Sequence, residues 1–194
     1  MSETPLRIAI IVGSNRHGRF GPTVARWFIE RATAHEGVHP DVIDLASLEV
    51  PGVLGTAPPP EVAGPLAEAT ATLERSDAFV VITPEYNHSY PGALKNFIDL
   101  HYTQWQAKPV ALVSYGGLAG GQRAAEHLRQ VFAELHAVTV RDTVALVNAW
   151  ERFDAEGRHK EALEADAAAK TMLDRLAWWG HALRDARAVR PYAA

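Results

Sequence analysis

The stretch from Thr83 to Asn96 concentrates side chains that could bind and orient a flat, polar ligand. It reads Thr-Pro-Glu-Tyr-Asn-His-Ser-Tyr-Pro-Gly-Ala-Leu-Lys-Asn. An apolar, β-branched run at 78–82 precedes it and predicts a buried strand. Leu94, Phe97 and Ile98 recur at helical spacing and predict a helix after it. Because open α/β sheets bind ligands at the carboxyl ends of their strands, the rings, carboxylate and amide in this connection are candidate ligand contacts.

A second candidate site is the loop Gly-Ser-Asn-Arg-His-Gly-Arg-Phe-Gly at 13–21. It follows an apolar run at 6–12, which predicts a strand buried on both faces, and it precedes a helix that starts near Pro22. A helix amino terminus offers free backbone N–H groups and the positive end of the helix dipole, so this order of elements is typical of an anion site. The Ser14 hydroxyl and Arg16 or Arg19 could complete it. The alternative is a tight turn with solvent-exposed arginines.

Three familiar motifs do not fit the chain. A phosphate loop of nucleotide hydrolases needs Lys-Ser/Thr after its second glycine, whereas Arg19 follows Gly18 here. A dinucleotide fingerprint starts Gly-x-Gly, whereas Gly13 is followed by Ser14-Asn15. The segment His-Glu-Gly-Val-His at 35–39 matches a zinc-protease pattern, but its internal glycine and the proline after it predict a helix end rather than the continuous helix that the metal site requires.

The third candidate loop, Tyr-Gly-Gly-Leu-Ala-Gly-Gly at 115–121, follows the segment Lys-Pro-Val-Ala-Leu-Val-Ser at 108–114, which predicts a fourth buried strand. Its glycines would let the backbone approach a flat ligand closely and present N–H groups without interfering side chains. A flexible connection is the alternative reading. The position of the loop at a strand end, like that of the other two, favours a binding function.

The elements around these loops alternate between strand and helix, which predicts an α/β fold with helices on both faces of a doubly wound parallel sheet. We expect five strands, near 6–12, 42–45, 78–82, 108–114 and 138–147, the last interrupted at Arg141-Asp142. Right-handed crossovers suit the strand order 2-1-3-4-5. In that order strands 1, 3 and 4 are neighbours, so the three unusual loops converge on one edge of the sheet.

The remaining segments carry weaker signals. Residues 51–65 are rich in proline and glycine and predict an ordered surface loop, either a lid or partner contact or a plain connection. We expect a loop or short hairpin at 148–158 and a last helix at about 160–186, with Trp178-Trp179 at its base or at a subunit contact. The expected core side of that helix is Leu163, Ala167, Leu173, Leu176, Ala177 and Leu183.

Composition limits the class of protein. The 194 residues are 47% apolar and 22% charged, with a formal net charge of −4 and no cysteine. This balance predicts one globular domain over 1–194 and argues against nucleic acid as a partner. Thiolate metal sites and a cysteine nucleophile are excluded. We see no secretory signal or transmembrane run, so we expect no membrane partner and a cytoplasmic protein.

The three loops together carry a resemblance. Gly13-Ser14-x-Arg16, Pro84-Glu85-Tyr86-Asn87 and Ser114-Tyr115-Gly116-Gly117 resemble, in order and spacing, the flavin loops of the NADPH-dependent FMN reductase family. That resemblance implies a flavodoxin-like fold and bound FMN. The residues it implies at the phosphate are Ser14, Arg16, Gly18, Arg19, Phe20 and Gly21. Those it implies around the flavin ring are Pro84, Glu85, Tyr86, Asn87, Ser114, Tyr115, Gly116 and Gly117.

The same resemblance implies a reaction and an assembly. NADPH or NADH would reduce the flavin, which would then reduce a small acceptor such as a quinone, free flavin, azo compound or metal oxyanion. No catalytic side chain is required, and Glu85 is expected to form a structural ion pair. Relatives are commonly homodimers or homotetramers joined through the helix that corresponds to Pro91 to Tyr102. Two alternatives remain open: a flavodoxin-type electron carrier without NAD(P)H turnover, and a binding module without flavin.

Overall fold

The structure, a computed structural model, describes residues 4–53, 55 and 60–193. The surface loop expected at 51–65 ends earlier than predicted, because residues 60–65 belong to the helix Pro60–Arg75, and its residues 54 and 56–59 lie outside the described residues. The strands are β1 Leu6–Val12, β2 Val38–Asp44, β3 Ala78–Pro84, β4 Pro109–Gly116, β5 Val138–Thr139 and β6 Val144–Val147. They form one parallel sheet in the order β2-β1-β3-β4-β5, which confirms the predicted fold class and strand order.

The predicted fifth strand is divided into β5 and β6, and both pieces run parallel to β4. β5 pairs with Pro109 and Val110, and β6 pairs with the later part of β4, 113–116. Between them, the guanidinium of Arg129 donates hydrogen bonds to the carbonyl oxygens of Val140 and Arg141, at 2.8 and 3.1 Å. The interruption therefore has a physical reason, because a side chain satisfies carbonyl groups there that would otherwise need strand partners.

Helices cover both faces of the sheet. They are α1 Gly21–Thr33, α2 Pro60–Arg75, α3 Gly92–Asp99, α4 Gln122–Glu134, α5 Ala149–Arg152 and α6 Ala162–Val189. Strand residues alternate between two cores: Ile8 and Ile10 pack with α1 and α6, whereas Ala9 and Ile11 pack with α2, α3 and α4. None of the helices in the described part of the chain has the length and apolar content to cross a membrane.

The inner face of α6 differs from the sequence prediction. Leu173, Leu176 and Ala177 are buried as expected, but Leu163 is 86% exposed and Ala167 also faces solvent. Ala169 and Met172, which the prediction omitted, are fully buried. The exposed position of Leu163, in the first turn of α6, shows that an apolar residue in this alanine-rich helix does not by itself mark the buried side. Trp178 and Trp179, expected at the helix base or at a subunit contact, are 63% and 37% exposed in the single chain.

A polar tether joins α6 to α1. The carboxylate of Asp166 accepts hydrogen bonds from Trp27 Nε1 at 2.9 Å and from Arg31 Nε and Nη2 at 2.7 and 3.1 Å. The Arg31 hydrogen bond in particular lowers the pKa of Asp166. Trp27 is 2% exposed, so its indole N–H depends on this carboxylate for a partner. The tether thus fixes the helix whose amino end faces the first loop.

Replacing Asp166 by alanine is expected to lower the free energy of unfolding by about 1–3 kcal/mol, because it leaves a buried indole N–H unsatisfied. The contribution of the carboxylate is present above its ordinary pKa of 3.8 and is lost as the pH falls through the lower pKa of the folded protein. Urea unfolding at pH 7 measures the loss. Asp185→Ala, an exposed change on the same helix, is the control. Equal stability of the two variants would contradict the tether.

Candidate functional site

The three loops selected from the sequence meet at one edge of the sheet. β1 and β3 are hydrogen-bonded neighbours, as are β3 and β4, and all three run parallel. The chain leaves each of them at the same edge, the position at which open α/β sheets bind ligands. The first loop connects β1 to α1, the second connects β3 to α3, and the third connects β4 to α4.

Ser14 joins the first loop to the second. It is 1% exposed, and its Oγ lies 2.8 Å from the hydroxyl oxygen of Tyr86. The same Oγ accepts a hydrogen bond from the backbone N–H of Arg16 at 3.4 Å. Ser14 therefore shapes the first loop and fixes the Tyr86 ring, but it is not part of the cavity wall.

The two arginines of the first loop have different environments. Arg19 donates from Nη1 and Nη2 to both carboxylate oxygens of Asp44, at 2.5 and 2.6 Å, and from Nη1 to the Ser14 carbonyl oxygen. Burial opposes ionisation of Asp44, but hydrogen bonds from Arg19 and from the Ala46 N–H outweigh it and lower the Asp44 pKa. Arg19 thus anchors the loop to the end of β2. Arg16 has no carboxylate partner among the described residues, and its guanidinium lies 6.0 Å from the centre of the Tyr86 ring.

The amino end of α1 carries unsatisfied donors. α1 begins at Gly21 with Pro22 in its first turn, and Phe20 before it contributes no side-chain cap. Within the described part of the chain, the backbone N–H groups of Gly18, Phe20 and Gly21 have no acceptor. Free N–H groups at a helix amino terminus, next to an arginine with no carboxylate partner among the described residues, are the donor set that a phosphate requires.

The second loop is a tight reversal held by its backbone. Tyr86 and Ser89 exchange two backbone hydrogen bonds of 2.8 and 3.1 Å, and Asn87 and His88 between them have positive φ angles of 51° and 69°. Asparagine tolerates this conformation better than most residues. Glu85 accepts hydrogen bonds from the backbone N–H and the guanidinium of Arg123, at 3.2 and 2.6 Å. The predicted structural ion pair is therefore present, within a single chain.

The third loop, which follows β4, is held in a tight turn. Ser114 is buried and its hydroxyl donates to the Gly120 carbonyl oxygen at 2.8 Å, so this predicted site residue supports the turn and does not face the cavity. The Tyr115 side chain is 5% exposed and reaches α1, where a Cβ added to Gly21 would lie 2.9 Å from its hydroxyl oxygen. Burial raises the pKa of the Tyr115 phenol, which keeps it protonated.

Most of the predicted residues line one cavity of about 350 Å³, which lies in the range of small-molecule sites. Its walls are Arg16, Gly18, Arg19, Phe20, Pro84, Glu85, Tyr86, Tyr115, Gly116, Gly117 and Trp150. The predicted residues absent from the walls are Ser14, Gly21, Asn87 and Ser114. Of these, Asn87 lies within the second loop with its side chain exposed.

Sequence reasoning missed Trp150. It lies on α5, directly after β6, and β6 runs parallel to β4. The loop after β6 therefore opens at the same edge as the three that were selected. The signal was available in the sequence, because Asn148-Ala149-Trp150 follows an apolar run, but this loop lacks the glycines that marked the others.

The sequence of the chain is similar to those of several known proteins. Residues 6–151 match the family described as NADPH-dependent FMN reductase. The chain is 34% identical over 127 residues to an NAD(P)H-dependent FMN reductase of Schizosaccharomyces pombe, a match that covers 62% of each chain. It is 30% identical over 189 residues to a 2-hydroxy-1,4-benzoquinone reductase of a Burkholderia species, covering 94% of this chain and 98% of that one.

A solved structure shows the same fold. The flavoenzyme NAD(P)H:(acceptor) oxidoreductase FerB of Paracoccus denitrificans superposes with a TM-score of 0.71 at 23% identity, over 91% of this chain and 98% of that one. The family match spans most of the chain and includes all three loops that form the cavity. The chain belongs to the NADPH-dependent FMN reductase family.

Proposed function

We propose that the protein is an NAD(P)H-dependent, FMN-containing oxidoreductase that passes a hydride from NAD(P)H through bound flavin to a small acceptor. One observation carries this proposal. A single cavity joins a cluster of unsatisfied phosphate donors at α1 to a wall of aromatic side chains and glycine backbone. A ligand with a phosphate at one end and a flat polar ring at the other fits both parts.

The residues present suit each end of FMN. At the phosphate end we assign Arg16 as the charged ligand, with the backbone N–H groups of Gly18, Phe20 and Gly21. Arg19 and Ser14 hold this loop in shape through Asp44 and Tyr86. At the ring end, Pro84 to Tyr86 and Tyr115 to Gly117 would line the isoalloxazine. Asn87 would act through the turn that it allows, because its side chain is exposed outside the cavity.

The flavin, when bound, accepts and donates the hydride. The protein therefore needs to bind and orient the flavin and its substrates and to exclude water, and it does not need to provide a nucleophile. The overall reaction consumes NAD(P)H, one proton and a two-electron acceptor and yields NAD(P)⁺ and the reduced acceptor. Gly116 and Gly117 line the cavity and would present their backbone to the ring. The Glu85–Arg123 ion pair holds the second loop against α4, which keeps the ring walls in place.

The family favours this reaction over electron carriage of the flavodoxin type. The similar proteins are named as reductases that use NAD(P)H or reduce quinones. An acidic docking face for a protein partner is not evident at this cavity, where Glu85 is paired with Arg123 and Arg16 has no described carboxylate partner.

We further propose that residues 1–194 act as one domain in a cytoplasmic homodimer or homotetramer. The helix from Pro91 to Tyr102, observed as α3 Gly92–Asp99, would form the contact. Its apolar residues Leu94, Phe97 and Ile98 face the core, so the contact would use its outer face with Tyr102, which is 51% exposed. The molar mass in solution tests this assembly, and a monomer at micromolar concentration would contradict it.

The protein is expected to bind FMN and to lose flavin absorbance when NADPH or NADH is added without oxygen or any partner protein. The physical reason is that hydride transfer requires only a bound, accessible flavin ring. Stopped-flow absorbance at the flavin band measures the rate with each nucleotide. Flavin that stays oxidised would favour the electron-carrier alternative, and a protein that takes up no FMN would exclude both.

A further inference from the structure

The side chain of Trp150 lies at the mouth of the cavity and is not part of the hydrophobic core. Trp150 is 56% exposed, although it lines the same cavity as Tyr86 and Gly117. Phe153, three residues later, is 5% exposed and packs against Phe20 and Trp27. The segment therefore places one large ring in the core and leaves the other open to a ligand.

The backbone around Trp150 is firmly held. Asn148 adopts a positive φ of 48°, and its N–H donates to the carbonyl oxygen of Gly117 at 3.1 Å. The Ala149 side chain is fully buried, and Arg152 Nε donates to the Val147 carbonyl oxygen at 3.4 Å. A Cβ added to Gly117 would lie 3.5 Å from Cη2 of the indole. The ring thus lies against the third loop on a fixed support, which lowers the entropic cost of contacting a ligand.

We propose that Trp150 determines acceptor specificity, because its indole stacks on a flat aromatic acceptor at the mouth of the cavity and so favours quinones over inorganic acceptors. The inference rests on the proposed function. The cofactor would occupy the inner cavity between the α1 donors and the buried Tyr115, whereas a half-exposed ring suits a ligand that enters and leaves in each turnover. Aromatic rings gain from offset or edge contacts beyond the area that they bury.

Two electron acceptors can distinguish an effect on stacking with Trp150 from an effect on electron transfer. A naphthoquinone is flat and takes two electrons and two protons to give the hydroquinone: the hydride of NAD(P)H supplies both electrons and one hydrogen nucleus, and solvent supplies the second proton. Ferricyanide takes one electron per ion, so each NAD(P)H reduces two ions and releases one proton to solvent, and ferricyanide offers no ring to stack. Only the first acceptor should depend on the indole.

The test compares Trp150→Leu, Trp150→Phe and Trp178→Leu in the FMN-loaded protein. Trp178 is the matched control, because it is 63% exposed and lies on α6 outside the cavity walls. Trp150→Leu is expected to lower kcat/KM for the naphthoquinone about tenfold, mainly through KM, and to leave ferricyanide reduction within about twofold. Trp150→Phe should retain most of the naphthoquinone activity, and the control should change neither.

Equilibrium binding provides a readout without turnover. Titration of the oxidised, FMN-loaded protein with naphthoquinone should show a dissociation constant about tenfold higher for Trp150→Leu, with the FMN dissociation constant unchanged. An equal fall for both acceptors, unchanged naphthoquinone binding or a parallel loss of FMN affinity would overturn the proposal. Failure of the proposed function is seen separately, since the parent protein would then show no flavin reduction by NAD(P)H.

Discussion

Replacing Arg16 by methionine is expected to weaken FMN binding by about 10- to 100-fold and to leave riboflavin binding nearly unchanged. A charge-assisted hydrogen bond contributes about 1.5–3 kcal/mol, and riboflavin lacks the phosphate that would receive it. Arg16 has no described carboxylate partner, so its loss removes a ligand contact without leaving another charge unpaired. Quenching of flavin fluorescence during titration of the apoprotein measures both dissociation constants.

Two further variants show whether the effect is direct. Arg26→Met removes an exposed arginine from α1 and should leave both affinities within about twofold. Arg19→Met should weaken both ligands together and lower stability, because it leaves Asp44 without its bidentate partner and releases the first loop. If Arg16→Met reduced riboflavin and FMN affinity equally, Arg16 would be a structural residue and the phosphate assignment would be wrong.

Gly121→Ala is expected to lower the free energy of unfolding by about 3 kcal/mol or more and to abolish measurable FMN binding. Gly121 has a φ of 81°, a conformation that costs about 1 kcal/mol or more for a residue with a Cβ. An added Cβ would also lie 2.7 Å from the Tyr115 backbone nitrogen and 2.8 Å from Ser114 Cβ. These are backbone and buried atoms, so the third loop would have to move away from the cavity.

Gly117→Ala is the matched control for stability in the same loop. Among the described residues, its Cβ would meet only the Trp150 ring, at an ordinary contact distance of 3.5 Å, and its φ is not positive. Thermal unfolding of both variants, side by side, measures the difference in stability, and FMN titration of Gly121→Ala against the parent protein measures the loss of binding. Similar melting temperatures for the two would show that the third loop relaxes freely, and a tight turn at Gly121 would then not be required for stability.

The sequence was sufficient for the strand order and for the convergence of three loops at one edge of the sheet, although it predicted the second strand at 42–45 instead of Val38–Asp44 and one fifth strand instead of β5 and β6. The strand predicted at 6–12 coincides with β1 at both ends, because its residues are apolar except for Arg7 and suit a strand buried on both faces. Strand order followed from crossover handedness, and that order places the loops at 13–21, 84–87 and 115–121 at one edge of the sheet. The local hydrophobic pattern and the topology of the sheet were therefore sufficient to predict where the candidate site lies.

Long-range pairing between polar side chains could not be predicted from the sequence. Arg19 and Asp44 are 25 residues apart, and nothing local indicates that the end of β2 presents its carboxylate to the first loop. The difference between Arg16 and Arg19 depends on that contact. The direction in which Trp150 faces depends on the αL residue Asn148, and an asparagine permits this conformation without by itself predicting it. The division of roles within the site thus became visible only in three dimensions.

The hydrogen bond between Ser14 and Tyr86 couples the two ends of the cavity mechanically. One partner belongs to the loop at the phosphate end and the other to the loop at the ring end, so the two walls are spaced before a ligand arrives. Preorganisation of this kind reduces the ordering cost that a ligand must meet on binding. A phosphate-free flavin would consequently find its ring site already formed, and the difference between FMN and riboflavin affinity would measure phosphate contacts alone.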